Sequence, residues 1–174
     1  MHINVKTLFL LILFAGFFAG GVWTERNLLS ATTQEERNRA VVLRYMEGFI
    51  NRRDLGTLDE LMVADWVAHN PTEPSGRAAL KEMATGWFQQ FPELQADVKR
   101  VFADGDFVVT QTHYTVRAED RGNDWAPGSA ATVDIFRLED GKIVEHWDVI
   151  QRPIPEGSVN GNSMFDGGGE YNYR

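Results

Sequence analysis

The sequence predicts an α+β domain in which helices pack on one face of an antiparallel sheet. Two observations carry this. Before Pro92 the apolar residues recur at helical spacing, and after it they alternate as in half-buried strands. The alternating half also holds Asp104-Gly105 and Asp140-Gly141, dipeptides that favour tight hairpins.

The helices come first. Thr33-x-x-Glu36 is a capping box ahead of Val41, Val42, Tyr45, Met46, Phe49 and Ile50, an apolar helical face reaching to about Asn51. Asp54 is placed to cap a short second helix with Leu55, Leu58, Leu61 and Met62 inward. Trp66 to Pro71 reads as extended chain stopped by the proline. Ser75 is placed to cap a third helix carrying Leu80, Met83, Ala84, Trp87 and Phe88. Strands follow at about 95–103, 106–117, 129–139 and 142–151, and Ala118 to Gly128, polar with Gly and Pro, reads as a loop.

Both ends fall outside this pattern. Thr7 to Thr24 is uncharged and mostly Leu, Phe, Ile, Ala and Gly, as in a secretory signal, with Ala19-Gly20-Gly21 as its cleavage site. The alternative is an uncleaved anchor, since about 18 residues is near the lower limit of a membrane span. Residues 1–31 are therefore expected to be a signal peptide or N-terminal anchor with a short linker, 32–165 the folded domain and 166–174 a flexible tail. The protein is expected to be secreted or periplasmic, with any membrane contact made only through the uncleaved N-terminal segment. Near the tail, Met164 and Phe165 are the residues available to dock.

Bulk composition excludes several functions. The 174 residues suit one domain, and the 43% apolar content suits an ordinary core. A formal charge of −8 gives no basic face for nucleic acid. With no cysteine there is no disulfide, thiolate metal site or cysteine nucleophile. His69, His113 and His146 lack the short spacing of a metal-ligand pair, so no metal is expected. No phosphate loop, nucleophile elbow or dinucleotide fingerprint is present, and no cofactor is expected.

The chemistry concentrates between Thr132 and Ile150. Ionisable groups in an apolar sheet are costly, and Asp134, His146 and Asp148 sit among Val133, Ile135, Phe136 and Val149. Whether they meet depends on the hairpin. A two-residue Asp140-Gly141 turn would pair Asp134 with Trp147 and send His146 to the other face. A three-residue loop with Gly141 in a bulge pairs Asp134 with His146, and this register is the one expected. It sets Phe136, Leu138, Val144 and Ile150 on the face of Asp134, His146 and Asp148. Val133, Ile135, Ile143, Trp147 and Val149 fall on the other, an apolar surface suited to a homodimer interface.

Desolvation of Asp134 would raise its pKa and let it transfer protons near neutral pH, with His146 orienting it or acting as paired acid. His69, Asn70, His113, Asp148, Tyr45 and Trp87 are the candidate substrate-binding residues around this pair. Each also has a plainer reading: a turn for Asn70, core packing for Tyr45 and Trp87, a solvated rim for Asp148, and a surface position for His113.

From about Glu35 to Phe165 the chain resembles the SnoaL-like proteins of the nuclear transport factor 2-like superfamily. The most specific part is Val133 to Asp148. His69-Asn70-Pro71, Val101 to Asp106 and Asn162-Ser163-Met164-Phe165 also fit. The resemblance implies a cone-shaped curved sheet wrapped on about three helices, with a deep pocket and usually a dimer. In the SnoaL-like polyketide cyclases a carboxylate matching Asp134 is the general acid/base of a cofactor-free aldol closure. Ketosteroid isomerases are similar at Asp134 and Tyr45, but their general base falls on Asn70, whose amide cannot take a proton from carbon.

The expected function is thus cofactor-independent acid/base catalysis next to a carbonyl, of aldol-cyclase or isomerase type, on a small apolar ligand. The alternatives are a non-catalytic small-molecule-binding domain, and a hydrolase or dehydratase using paired carboxylates.

Overall fold

A computed structural model describes residues 33–116, 129–152 and 159–166. The expected signal peptide or anchor, the 118–128 loop and nearly all of the expected tail lie outside the described residues. Helix α1 runs Gln34–Tyr45 and continues as a π-helix, Met46–Asn51, so the single helix predicted to Asn51 is wound in two ways. Its predicted face holds: Val42, Tyr45, Met46, Phe49 and Ile50 are buried, and Val41 packs at their edge.

The π-helix presses on the next helix through Gly48. A Cβ there would stand 2.4 Å from Thr57 Oγ1 and 2.9 Å from its Cγ2. Gly→Ala inside a helix ordinarily stabilises by up to about 1 kcal/mol. Gly48→Ala is expected to do the reverse, destabilising by about 1–3 kcal/mol through overpacking, which urea denaturation would measure.

Helix α2 spans Gly56–Leu61 and is capped at Leu55 rather than Asp54. Asp54 still serves the helix start, because its Oδ1 accepts the Gly56 N–H at 2.8 Å. Strand β1 is Met62–Ala68, and helix α3 is Arg77–Gln90. The α3 cap is Gly76, at φ 92°, and not Ser75. The Ser75 hydroxyl instead accepts the Ala68 N–H at 3.1 Å, tying the loop back to β1.

The four later strands are β2 Gln95–Asp104, β3 Phe107–Thr115, β4 Ser129–Glu139 and β5 Lys142–Gln151, within a residue or two of their predicted spans. They form a curved, unclosed sheet of order β1-β5-β4-β3-β2. β1 joins β5 in parallel and every other pair is antiparallel. At the β2 edge, the Asn51 amide donates to the Ala96 carbonyl at 3.1 Å and accepts the Ala96 N–H at 2.8 Å. One side chain thereby stands in for a missing neighbour strand.

The hairpins depart from the predicted register in instructive ways. Asp104 pairs with Phe107, so the first two-residue loop is Gly105-Asp106 and not Asp104-Gly105. Gly105, at φ 55°, takes its first position, where a type II′ turn favours glycine. In the second hairpin Glu139 pairs with Lys142 across Asp140 (φ 48°) and Gly141 (φ 73°), a two-residue turn of the I′ kind. The three-residue loop predicted there is absent. The bulge instead lies in β5 at Val144, between the Leu138–Ile143 and Arg137–Glu145 pairs.

That extra residue restores the facing the sequence argument required. Beyond it Asp134 pairs with Asp148 and Phe136 with His146, so Asp134, His146 and Asp148 share the helix-covered face. Two details change. Asp134 faces Asp148 rather than His146, and Ile143, predicted on the outer face, is fully buried in the core. The outer face keeps Val133 and Val149, both exposed, with Ile135 and Trp147 partly covered. Among the described residues no helix is long and apolar enough to cross a membrane.

Candidate functional site

The inner face of the sheet is polar where β3, β4 and β5 meet under the helices. Period-two alternation puts Thr110, Thr112 and Tyr114 of β3 on it, beside Thr132 and Asp134 of β4. All five are buried. The Asp134 carboxylate has three donors: Thr132 Oγ1 at 2.7 Å, Thr110 Oγ1 at 3.3 Å and His146 Nε2 at 3.2 Å. Thr112 in turn donates to Thr110 at 3.3 Å. Arg137, three residues beyond Asp134, points away from it and bonds Glu139 and Glu145.

His146 is the most constrained group. Its ring lies between two aromatic rings, Phe136 at 4.8 Å and Trp66 at 6.2 Å, both near parallel to it. Nε2 meets Asp134, and Nδ1 lies 3.5 Å from Glu73 Oε2. Burial alone would lower the imidazole pKa, but the carboxylates of Asp134 and Glu73 on either side carry it up to about 9. A pKa near 9 favours the protonated ring at neutral pH, and the Phe136 face 4.8 Å away favours a cation as well.

Asp148 is half-buried on the same face. Desolvation raises its pKa, the bonds from the Asn70 amide and the charge of His146 counter this, and Glu73 and Asp134 add to the rise. Asn70 Nδ2 donates to both Asp148 oxygens, at 2.8 and 3.0 Å. Asn70 Oδ1 accepts the Thr72 N–H at 2.8 Å and its hydroxyl at 2.7 Å. The amide is thus a clamp on Asp148 and a turn-former together, and its N–H groups are engaged by the protein itself.

A cavity of about 70 Å³ opens beside these groups, and Glu73, Asp134, His146 and Asp148 form its polar wall. Tyr45, Phe49, Leu80, Met83, Trp87 and Ile150 supply much of the apolar wall. Tyr45 packs its ring edge-on to Phe136 at 5.4 Å, and burial pushes its hydroxyl well above the usual tyrosine pKa, so it is a neutral phenol. A wider cavity of about 340 Å³ adjoins the first and shares Glu73, Met83, Trp87 and Ile150 with it.

Of the eight residues predicted for the site, the structure gathers six: Asp134, His146, Asp148, Tyr45 and Trp87 on the smaller cavity, and Asn70 on the wider one. It does not bring His69 or His113 to them. The His69 ring stacks on Trp147 at 4.2 Å and 2°, with Nε2 2.9 Å from Glu145. His113 is an odd-numbered β3 residue and therefore opposite to Thr112 and Tyr114. It stacks on Phe165 at 4.3 Å, while Gln111 donates to the Met164 carbonyl, so the expected docking of Met164 and Phe165 occurs there. Glu73 and the three threonines escaped the sequence reading. The i, i+2 repeat of Thr110, Thr112 and Tyr114 was the available signal for β3, but nothing near Glu73 marks it. Among the described residues, no group of three or more histidine and acidic side chains is arranged to hold a metal ion.

Comparison with known proteins agrees with this architecture. AclR from Streptomyces galilaeus, a candidate hydroxylase, is 29% identical with a TM-score of 0.58, over 69% of this chain and 93% of that one. IdmH from Streptomyces antibioticus, a candidate polyketide cyclase, is 25% identical with a TM-score of 0.55, over 65% and 91%. A candidate SnoaL-like polyketide cyclase from Jannaschia has the same fold at 23% identity and a TM-score of 0.57, over 70% and 90%. A search of curated proteins returned no match. The model of the SnoaL-like domain matches residues 42–146, more than half of the chain and a span that holds Asp134 and His146, and the chain therefore belongs to the SnoaL-like family.

Proposed function

We propose that this protein is a cofactor-independent acid/base enzyme of the cyclase or isomerase kind, acting next to a carbonyl group. The observation that carries the reading is His146: a buried imidazole, bonded to Asp134 and stacked on Phe136, that shares one cavity with a second carboxylate, Asp148. An α-proton is weakly acidic, so its removal needs a base and a charge-stabilising donor acting together.

The roles divide differently from the sequence expectation. Asp134 already accepts three hydrogen bonds and serves as the anchor of His146. His146, protonated, is the acid that stabilises negative charge on the carbonyl oxygen. Asp148 is the proton acceptor, since it is half-buried, raised in pKa and held in place by Asn70. Asp148 takes the α-proton, the C–H electron pair moves to the carbonyl carbon–carbon bond, and the oxygen gathers charge beside the imidazolium. The resulting enolate either attacks a second carbonyl carbon or regains the proton at another carbon. IdmH supports the reaction class by its description alone.

The test is exchange of α-protons in deuterated water, followed by NMR for a panel of small aryl ketones and 1,3-diketones. Wild-type protein is expected to accelerate exchange, and Asp148→Asn to reduce the acceleration about 10²–10⁴-fold. Undiminished exchange in the variant overturns the role of Asp148. Tight binding without any exchange turns the reading to the non-catalytic binding domain.

A further inference from the structure

Glu73 stands in the loop between β1 and α3, and its side chain has an unmet need. Oε2 is buried and has no hydrogen-bond partner. The nearest donor, His146 Nδ1, is 3.5 Å away, longer than an N–H···O hydrogen bond. Buried polar atoms are nearly always satisfied, so an acceptor left short on the cavity wall suits a donating group on a ligand.

The loop that carries Glu73 is not slack. It is tied to β5 by the His69 N–H donating to the His146 carbonyl at 2.9 Å and by the Asn70 clamp on Asp148. The backbone that carries Glu73 is therefore fixed beside the ring. Glu73 is also one of four residues that line both the inner cavity and the wider outer one.

A ligand hydroxyl supplies the donor that Oε2 lacks, since its O–H can donate to the carboxylate oxygen from the cavity side. A ketone or ether oxygen can only accept, so it gives Oε2 no hydrogen bond. We propose that Glu73 Oε2 is the acceptor that recognises a ligand hydroxyl, selecting ligands that bear an enolic or phenolic OH and leaving His146 Nδ1 to the carbonyl oxygen. The inference deepens the proposed acid/base reading and rests on its assumption that the cavity is the substrate site. Glu73 is then the specificity-determining residue of that site.

Phenol and its methyl ether, anisole, are the probes, titrated at about pH 6 with the His146 ring protons observed by NMR. Wild-type protein is expected to bind phenol roughly ten- to hundredfold more tightly than anisole. Glu73→Leu, which removes the acceptor, is expected to bring the two within about twofold. Glu73→Gln keeps a neutral acceptor oxygen and is expected to retain an intermediate preference, and it serves the same purpose if the leucine variant fails to fold. Equal binding of the two probes by wild-type protein, or an undiminished preference in the variants, overturns the role of Glu73 and leaves the proposed function standing. If neither probe moves the His146 signals, the cavity is not the ligand site and both readings fall.

Discussion

Asp134→Asn is expected to lower turnover about 10²–10⁴-fold, by removing the group that holds His146 charged and in place. The amide is nearly isosteric but cannot balance the imidazolium, and its NH₂ would oppose either the threonine hydroxyls or the ring N–H. The same change alters how stability responds to pH. The His146 pKa is about 9 in the folded protein, against about 6.5 for an unfolded histidine. A raised folded pKa means the stabilisation is fully present below pH 6.5 and is lost as pH climbs through about 9. The loss over that window is on the order of 3 kcal/mol. Urea unfolding at about pH 6 and about pH 9.5 would register it. Wild-type protein should weaken between the two, and Asp134→Asn should be weaker at the lower pH and nearly flat across the window. Parallel slopes for the two proteins would mean that the Asp134–His146 pair does not govern the effect.

Phe136→Ala is expected to cost about 3–5 kcal/mol of stability, the largest loss from a single side chain in the site region. Phe136 is 1% exposed and opposes His146 across the β4–β5 ladder. Its ring touches Tyr45 of α1 at 5.4 Å and the imidazole at 4.8 Å, so it joins helix, sheet and site. Truncation leaves a cavity against Tyr45 and frees one side of the His146 ring. Thermal unfolding would show the loss, and a conservative Phe136→Leu should recover most of the stability while leaving the ring stack unrestored. Comparable melting temperatures for wild type and Phe136→Ala would show that the surrounding core closes over the gap.

The elements most legible in the sequence are those governed by local periodicity. The apolar face from Val42 to Ile50 and the four strands after Pro92 follow from spacing alone, because burying one stripe or one face dictates where apolar residues recur. Caps were less legible. Gly76 displaced Ser75 at the start of α3 because the loop needed a positive φ there and a hydroxyl to bind Ala68. The site was legible as far as its residues share one strand face, as Asp134, His146 and Asp148 do.

The residues that complete the site come from elsewhere in the chain. Asn70 and Glu73 reach β5 only because β1 pairs with it in parallel and delivers the following loop to its end. No periodicity within Trp66 to Gly76 encodes that contact. The hairpin shows the same limit at closer range. Sequence predicted that a bulge must exist to put Asp134 and His146 on one face, and parity makes that requirement strict. It could not place the bulge: the Asp140-Gly141 turn kept its own preferred two-residue form, and the extra residue moved to Val144.

By itself, then, the sequence determined the fold class, the buried face and the presence of Asp134 and His146 upon it, because alternation and spacing are local consequences of burial. Only the tertiary structure decided that Asp134 bonds His146 Nε2, that the His146 ring lies between the carboxylates of Asp134 and Glu73, and that Asn70 clamps Asp148. Charge state depends on distances between groups remote in the chain, and those distances exist only once the sheet has assembled.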